Sequence, residues 1–466
     1  MVEKLFHIKE KGANIRTELL AGLTTFMTMA YILMVNSGMF AELPGVSYYA
    51  IYIATALSAA IGSILIGLLA NLPLAQAPAM GSNAFFVYTV CLGFGLSYAN
   101  ALVLIFLDGI AFIILTVTGL RKKIFEAIPT SVRLAIPAGV GLFIAFIGLQ
   151  NAGIVVADPE TFVNLTSFNL LFGSASWSDV MPILVTLAAL TAIAVLAYRG
   201  VKGALLWGIL GGTILYYLLG FTVPEFYKEF GSSLNLNPFT AFCEFGVSAF
   251  GRVFTKGFDF SSYLADHNPA ELALLIGTTA LAFCLVDMFD TIGTLYGACA
   301  RGNLLTPKGE VPNMERAMLA DAVATVCGAV CGTSTVSSYV ESSAGIAEGG
   351  KTGLAAVATG GLFLLAMFFS PIATLVPSCA TSAALIYVGI LMMDCTKKID
   401  WQNTAEAVPA FLTLAIMPMT YNISYGIAFG IISYVLIQLF AEKGKEINGG
   451  TWIIAGLFTV MFLVTH

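Results

Sequence analysis

Long apolar runs dominate this chain of 466 residues and exclude most soluble folds. Hydrophobic residues make up 58% of the sequence and charged residues only 10%, whereas soluble proteins carry about 25% charged residues. Runs such as 51–70, 101–120 and 181–197 approach or reach the roughly 20 residues that a helix needs to span a bilayer. The sequence therefore predicts an all-α integral membrane protein with the lipid bilayer as its main solvent.

Two short segments interrupt these runs at matching places in the two halves of the chain. The first is 76–83 (QAPAMGSN) and the second is 332–345 (GTSTVSSYVESSAG). Non-helical backbone survives at membrane depth only where protein or a water-filled cavity surrounds it. Interrupted helices in corresponding positions of two repeats are typical of a transporter's substrate site. The pattern therefore predicts a carrier.

The positions of the basic residues support fourteen spans and a cytoplasmic N-terminus. This arrangement places 18 of the 21 Lys and Arg residues on the cytoplasmic side, as the positive-inside rule requires. The other three, Lys228, Arg252 and Lys256, fall in segment 222–270, which is predicted to be an extracellular connector with interfacial helices. The spans centre near residues 30, 60, 86, 109, 141, 188, 211, 284, 322, 343, 360, 386, 413 and 432, the third and tenth being half-helices preceded by extended backbone.

Seven spans in each half is an odd number, so the second half is predicted to be inserted upside down relative to the first. Weak internal similarity agrees, since LLAGLT at 19–24 and LLIGTT at 274–279 open the two halves. Fourteen spans place both termini in the cytoplasm. The C-terminal stretch Thr451–Thr465 is apolar but short, so it is predicted to lie in the membrane interface rather than to form a fifteenth span.

Two aspartates in the eighth span are candidates for substrate binding and proton coupling. Asp287, Asp290 and Thr294 follow an i, i+3, i+7 pattern, which places them on one helical face. Acids within a bilayer are costly and usually functional. Two neighbouring buried carboxylates also favour binding of a proton. The alternative is that both acids lie at the helix end near Arg301.

The two interrupted segments supply further candidates. Glu341 begins the half-helix 341–347, where unpaired N–H groups support a carboxylate. Asn83 begins the other half-helix, and its amide presents donor and acceptor together. Phe85 and Phe86 follow and are placed to stack on a planar ring. Glu341 and Asn83 are equally compatible with simple helix caps.

Other features argue against catalysis, metal binding and nucleic-acid binding. The chain has no Walker loop, dinucleotide fingerprint or HExxH motif, and its eight cysteines form no CxxC pair. We therefore expect no enzyme activity, cofactor, metal site or nucleic-acid partner. Asp108, in the fourth span, has no partner evident from the sequence, and its role stays open. Asp321 is predicted to be structural, paired with a polar neighbour.

Four segments in order carry a resemblance to a known family, over nearly the whole chain. The sequence resembles the xanthine/uracil permease superfamily of nucleobase–cation symporters, and specifically its adenine–guanine–hypoxanthine permease branch. One position departs from the family pattern, because Ser82 stands where many relatives have a longer apolar residue. The segments are 21–32 (AGLTTFMTMAYI), 77–86 (APAMGSNAFF), 286–295 (VDMFDTIGTL) and 337–346 (SSYVESSAGI).

The resemblance implies a fourteen-span 7+7 inverted repeat with short antiparallel β-strands in spans 3 and 10, and commonly a homodimer. A core domain would comprise 1–120 (spans 1–4) and 271–371 (spans 8–11). A gate domain would comprise 121–221 (spans 5–7) and 372–466 (spans 12–14 and the C-terminal segment), with the connector 222–270 between the halves. The residues implied to contact the base are Asn83, Phe85, Asp287 or Asp290, Glu341, and the backbone near Ser342.

The sequence thus predicts a secondary transporter of the cytoplasmic membrane that imports purine nucleobases by proton symport. Core would move against gate in an elevator or rocking movement, with Asp287, Asp290 and Glu341 as proton-coupling candidates. The alternatives are a uracil or xanthine permease, or a sodium-coupled nucleobase carrier of the same fold. The preferred purine, the protonated aspartate and the oligomeric state stay open.

Overall fold

The chain folds into a bundle of apolar helices. The computed structural model describes residues 2–119, 127–170, 173, 175–223, 237–306, 310–441 and 447–465. Within these residues, nine helices are long and apolar enough to cross a membrane: Ile15–Phe40, Tyr48–Leu69, Tyr98–Val117, Thr130–Asn151, Trp177–Tyr198, Pro269–Cys299, Gly353–Ala373, Ser378–Lys398 and Ile423–Phe440. Four shorter apolar helices are Met80–Gly93, Ala204–Gly220, Thr404–Thr420 and Gly449–Leu463. The protein is therefore a multi-pass membrane protein, as its composition predicts.

The secondary structure is nearly all helical, with four short strands among the described residues. The elements before residue 224 are α1 (Val2–Phe6), α2 (Ile15–Met29), α3 (Tyr31–Phe40), α4 (Tyr48–Leu69), β1 (Gln76–Pro78), α5 (Met80–Ala84), a π-helix (Phe85–Gly93), α6 (Tyr98–Val117), α7 (Thr130–Asn151), β2 (Val155–Asp158), β3 (Phe162–Leu165), α8 (Trp177–Tyr198) and α9 (Ala204–Gly220). Those after it are α10 (Pro238–Glu244), a π-helix (Phe245–Ala249), α11 (Arg252–Thr255), α12 (Ser261–Leu264), α13 (Pro269–Arg301), α14 (Met314–Cys331), β4 (Val336–Ser338), α15 (Ser342–Ala347), α16 (Gly353–Ala366), a 3₁₀ turn (Met367–Phe369), α17 (Ser370–Ala373), α18 (Ser378–Met392), a 3₁₀ turn (Met393–Lys398), α19 (Thr404–Thr420), α20 (Ile423–Phe440) and α21 (Gly449–Thr465).

The two interrupted segments meet in the interior as an antiparallel pair of strands. Strand β1 pairs with β4 in a register that sets Ala77 opposite Ser337. The pairing continues beyond the strands, because Ala79 N–H donates to Thr335 O (2.9 Å) and Tyr339 N–H donates to Ala75 O (3.0 Å). Each segment thus supplies hydrogen-bond partners to the other's backbone, which is what non-helical chain needs where water is absent.

The helices pack into two groups. In the α4 group, α16 lies against α4 and α2, while α14 lies against α6 and α4. In the α7 group, α18 lies against α7 and α8, α19 lies against α7 and α20, and α9 lies against α8. The groups meet where α13 and α5 contact α7 and where α13 contacts α20. Helix α5, which follows β1, therefore lies at the boundary between the groups.

The described part of the predicted connector covers one end of the α4 group. Helix α10 packs on α4, and α11 packs on α6. The Asn100 side-chain N–H donates to Gly257 O (2.7 Å) and to Asp259 O (2.8 Å).

We call this side of the molecule the Glu42 face, after Glu42, which lies just beyond the end of α3. We call the opposite side the Lys202 face, after Lys202 in the turn between α8 and α9. Residues 224–236 of the connector lie outside the described residues.

The C-terminal helix α21 packs within the helix bundle. It lies along α20 and also contacts α13. The ring of Phe462 lies 5.5 Å from that of Tyr425 and 5.3 Å from that of Phe429. The interfacial placement expected from length and hydropathy stays a prediction.

Candidate functional site

Asp290 lies at the boundary between the two helix groups. Helix α13 carries it, and its Oδ2 accepts a hydrogen bond from the Ser337 hydroxyl of β4 at 2.9 Å. The carboxylate is half-buried and faces a small cavity of about 10 Å³. Gly81 and Ser82 line this cavity from the α4 group, and Val140 lines it from the α7 group. This volume is near the lower limit for one water molecule, so the cavity is too small for a larger solute in this conformation.

Glu341 lies beside a much larger opening. Its Oε1 accepts a hydrogen bond from the Tyr31 hydroxyl at 2.8 Å, and its backbone carbonyl accepts from the Thr28 hydroxyl at 3.4 Å. A vestibule of about 530 Å³ reaches Glu341, and its wall includes Thr28, Tyr387 and Lys202. Since the Lys202 side chain is half-exposed, the vestibule leads from the Lys202 face to Glu341.

The two accessible acids are connected through one interrupted segment. Asp290 bonds Ser337 of that segment, and Glu341 follows four residues later. Their side chains are partly accessible, one to the boundary cavity and the other to the vestibule. Two partly accessible carboxyl groups therefore lie at the same interrupted segment.

Two other predicted residues, Asn83 and Ser342, form hydrogen bonds within and between the interrupted segments. Asn83 accepts a short hydrogen bond from the Ser334 hydroxyl, and its amide N–H donates weakly to Pro78 O at 3.5 Å. The Ser342 hydroxyl accepts from Ala75 N–H at 3.0 Å. These bonds join the two interrupted segments to each other. Roles for Asn83 and Ser342 in contacting a substrate stay predictions.

Phe85 and Phe86, which were predicted to stack on a planar ring, are both packed against other aromatic rings. Phe85 is fully buried and its ring lies 4.7 Å from that of Phe283 on α13. Phe86 is equally buried and its ring lies 4.9 Å from that of Phe40. In this conformation both rings contribute to the core, so stacking on a substrate by Phe85 stays a prediction.

Asp287 and Asp108 are fully buried, in contrast to Asp290 and Glu341. Asp287 lies one helical turn from Asp290 in the continuous helix α13, but it does not line the boundary cavity. Asp108 lies on α6, within the α4 group. The structure therefore separates the acids into two that are accessible and two that are enclosed.

The sequence analysis did not identify the hydrogen-bond partners of Asp321, Asp290 and Glu341. Asp321 accepts hydrogen bonds from the Gln76 side chain (3.0 Å) and from the Thr291 hydroxyl (2.8 Å), which join α14 to β1 and α13. Ser337 and Tyr31, which bond Asp290 and Glu341, were not selected either. These partners lie in or next to the segments that carried the family resemblance, and that position could have identified them. They are Gln76, Thr291, Ser337 and Tyr31.

The Glu42 face is closed by contacts between the groups. The Glu42 carboxylate accepts from the Tyr88 hydroxyl (2.8 Å) and from the Asn151 amide (3.0 Å) at the end of α7. The Thr89 hydroxyl donates to Tyr421 O at 2.5 Å. Burial raises the pKa of Glu42 and outweighs the opposing effect of these two hydrogen bonds. The two helix groups are therefore in contact at the Glu42 face, whereas the vestibule opens at the Lys202 face.

Comparison with known proteins identifies the family. The model of the xanthine/uracil Permease family matches residues 16–429. Adenine permease AdeP of Escherichia coli is 38% identical over 100% of this chain and 97% of its own length. Guanine/hypoxanthine permease PbuG of Bacillus subtilis is 40% identical over 99% of each chain. The chain therefore belongs to the Permease family, and it is a membrane transporter rather than an enzyme.

Solved structures show the same fold at low sequence identity. The transmembrane domain of a cyanobacterial bicarbonate transporter, BicA, aligns with a TM-score of 0.57 at 15% identity, over 92% of this chain and 97% of that one. Murine Solute Carrier 26 family member A9 aligns with a TM-score of 0.59 at 11% identity, over 92% and 69% of the two chains. These similarities concern the fold alone. Within the described residues, no group of three or more His, Cys, Asp or Glu side chains is placed to hold a metal ion.

Proposed function

We propose that this protein imports purine nucleobases, namely hypoxanthine, adenine or guanine, by proton symport across the cytoplasmic membrane. The main support is that relatives aligned over essentially the whole chain are named adenine permease and guanine/hypoxanthine permease. The site chemistry agrees, because two carboxyl groups at a central boundary suit the N–H and ring-nitrogen edge of a planar base.

We propose that Asp290 and Glu341 contact the base directly, since both are accessible. The enclosed Asp287, one turn from Asp290, then carries the coupling proton. Its burial disfavours a permanent charge, and movement of α13 would alter its surroundings. Asn83, Phe85 and the backbone at Ser342 would contribute when the two groups separate and the cavity beside Asp290 widens.

The proposed architecture is fourteen spans in a 7+7 inverted repeat, to which α21 is added below. The α4 group and α13 form the core (1–120 and 271–371), and the α7 group forms the gate (121–221 and 372–466). The closed Glu42 face and the vestibule from the Lys202 face support an inward-open state, with the N-terminus in the cytoplasm. Movement of core against gate would reverse this accessibility. By family resemblance, we expect a homodimer.

The test is uptake of radiolabelled hypoxanthine, adenine, guanine, xanthine and uracil into proteoliposomes, with and without an imposed pH gradient. Gradient-driven accumulation of a purine, competed by the other purines, is the expected result. Uptake of uracil or xanthine alone would reject the purine assignment. Accumulation that follows a sodium gradient but not a pH gradient would reject proton coupling.

A further inference from the structure

The C-terminal helix α21 makes contacts at both ends that fix its direction through the molecule. At its start, the Thr451 hydroxyl donates a short hydrogen bond to Ala127 O. A Cβ added at the neighbouring Gly450 would lie 2.7 Å from the Ala127 Cβ. Ala127 precedes α7, whose other end, Asn151, bonds Glu42. Helix α21 therefore begins on the Lys202 face.

The other end of α21 lies near the Glu42 face. Phe462 packs on Tyr425 and Phe429, which belong to the first two turns of α20. The Tyr425 ring in turn lies 6.5 Å from that of Phe94, just after the π-helix whose Tyr88 bonds Glu42. The end of α21 thus meets the beginning of α20, so the two helices run antiparallel.

The composition of α21 suits a membrane crossing and does not suit an interfacial helix. Its 17 residues extend about 25 Å at 1.5 Å per residue, and none of them is charged. A helix that lies in the interface needs a polar outer face. Here the buried stripe includes Ile454 and Phe458, while the exposed side carries Ile453, Leu457 and Val460. Both faces are apolar, as expected where protein covers one side and lipid the other.

We infer that residues 449–465 form a fifteenth membrane crossing, which places the end of this chain on the Glu42 face. This replaces the cytoplasmic C-terminus expected from fourteen spans. The crossing contacts α20 in the gate and α13 in the core, so it connects the two groups through the helix that carries Asp290. It also lies beyond residue 429, where the match to the family model ends.

The test locates an epitope tag on the full-length protein. One variant carries the tag after residue 466. Two controls carry it in the β2–β3 turn at 159–161, on the Glu42 face, or after Gly200, on the Lys202 face. An antibody is applied to intact spheroplasts and to inverted vesicles. The C-terminal tag is expected to be labelled in the same preparation as the 159–161 tag. Labelling together with the Gly200 tag, or equally in both preparations, would overturn the inference.

A second measurement tests the crossing without relying on the tag position alone. Leu457 is the central residue of α21 and is 45% exposed, so Leu457→Lys would place a charge at mid-membrane against lipid. We expect this change to move the C-terminal tag toward the Lys202 face. The control Ile453→Lys lies near the start of the helix, where Lys can extend to the interface, and should leave the tag in place. Equal behaviour of the two variants would contradict a crossing.

Discussion

At the scale of single residues, hydroxyl groups orient the two accessible carboxylates. Glu341 is bonded by one tyrosine hydroxyl and Asp290 by one serine hydroxyl, both donors from elements that meet at the centre. Each carboxylate is therefore oriented by one partner and keeps other lone pairs available for a solute. Such an arrangement combines a fixed position with unused hydrogen-bonding capacity.

We predict that Asp287→Asn abolishes pH-driven accumulation of the transported base while leaving the protein folded and exchange of the base intact. The amide cannot release or take up a proton. Tyr31→Phe removes one hydrogen bond to Glu341 of about 1 kcal/mol, so we expect roughly fivefold weaker base affinity with coupling retained. Proteoliposome uptake and equilibrium exchange measure the two properties separately. The exposed Glu10→Gln is the control, and pH-driven accumulation by Asp287→Asn would refute the role of Asp287.

At the scale of secondary-structure elements, the α4 group is held together by very close helix contacts and by the paired strands β1 and β4. A Cβ added at Gly353, at the start of α16, would lie 2.8 Å from the Gly67 Cα of α4. Asp321 adds a polar connection by bonding Gln76 of β1 and Thr291 of α13. Small residues that permit close approach are typical of helix contacts in membranes. Together these contacts hold the short strands in position at the boundary.

We predict that Gly353→Ala destabilises the protein by about 1–3 kcal/mol, because the new methyl group meets backbone that cannot yield. Gly361 on the same helix provides a matched control, since a Cβ there has no atom within 4 Å. Gly361→Ala should be neutral or stabilising by up to about 1 kcal/mol through helix propensity. Thermal unfolding in detergent measures both changes. Equal midpoints for the two variants would show that α4 and α16 are not in this contact.

At the scale of the whole molecule, opposite faces join the two helix groups by different interactions. The Glu42 face uses hydrogen bonds from Tyr88 and Asn151 to Glu42. The Lys202 face uses an ion pair between Lys202, in the turn between α8 and α9, and Glu348, which follows α15, with both side chains partly exposed. Alternating access would require these two sets of contacts to form and break in turn.

The raised pKa of Glu42 predicts a pH-dependent difference in stability. Burial makes the charged form costly in the folded protein, so wild type loses stability as pH rises through this raised pKa. Glu42→Gln accepts the same bonds without charge and avoids that loss. We therefore expect a higher unfolding temperature for Glu42→Gln at pH 7–8, with the difference vanishing as pH falls toward the ordinary value of about 4.5. A difference that grows on acidification would contradict this account.

The ion pair at Lys202 should have only a modest effect, because exposed pairs contribute about 0.2–1 kcal/mol. We predict that Lys202→Glu changes the transport rate by less than about fivefold, and that high salt reduces the change. The double variant Lys202→Glu/Glu348→Lys should restore the wild-type rate. Failure of the double variant to recover would mean that Lys202 acts through contacts other than Glu348.

The sequence by itself determined the membrane class, the two interrupted segments and the family, because hydropathy and short motifs are local properties of the chain. It also predicted that Asp290 and Glu341 are site candidates. Only the tertiary structure decided that Asp287 is enclosed one turn from the accessible Asp290, because periodicity assigns a residue to a helix face and not to the neighbour that covers it. It likewise set the direction of α21, which an uncharged run of 17 residues leaves open until packing against α20 and α13 selects one orientation.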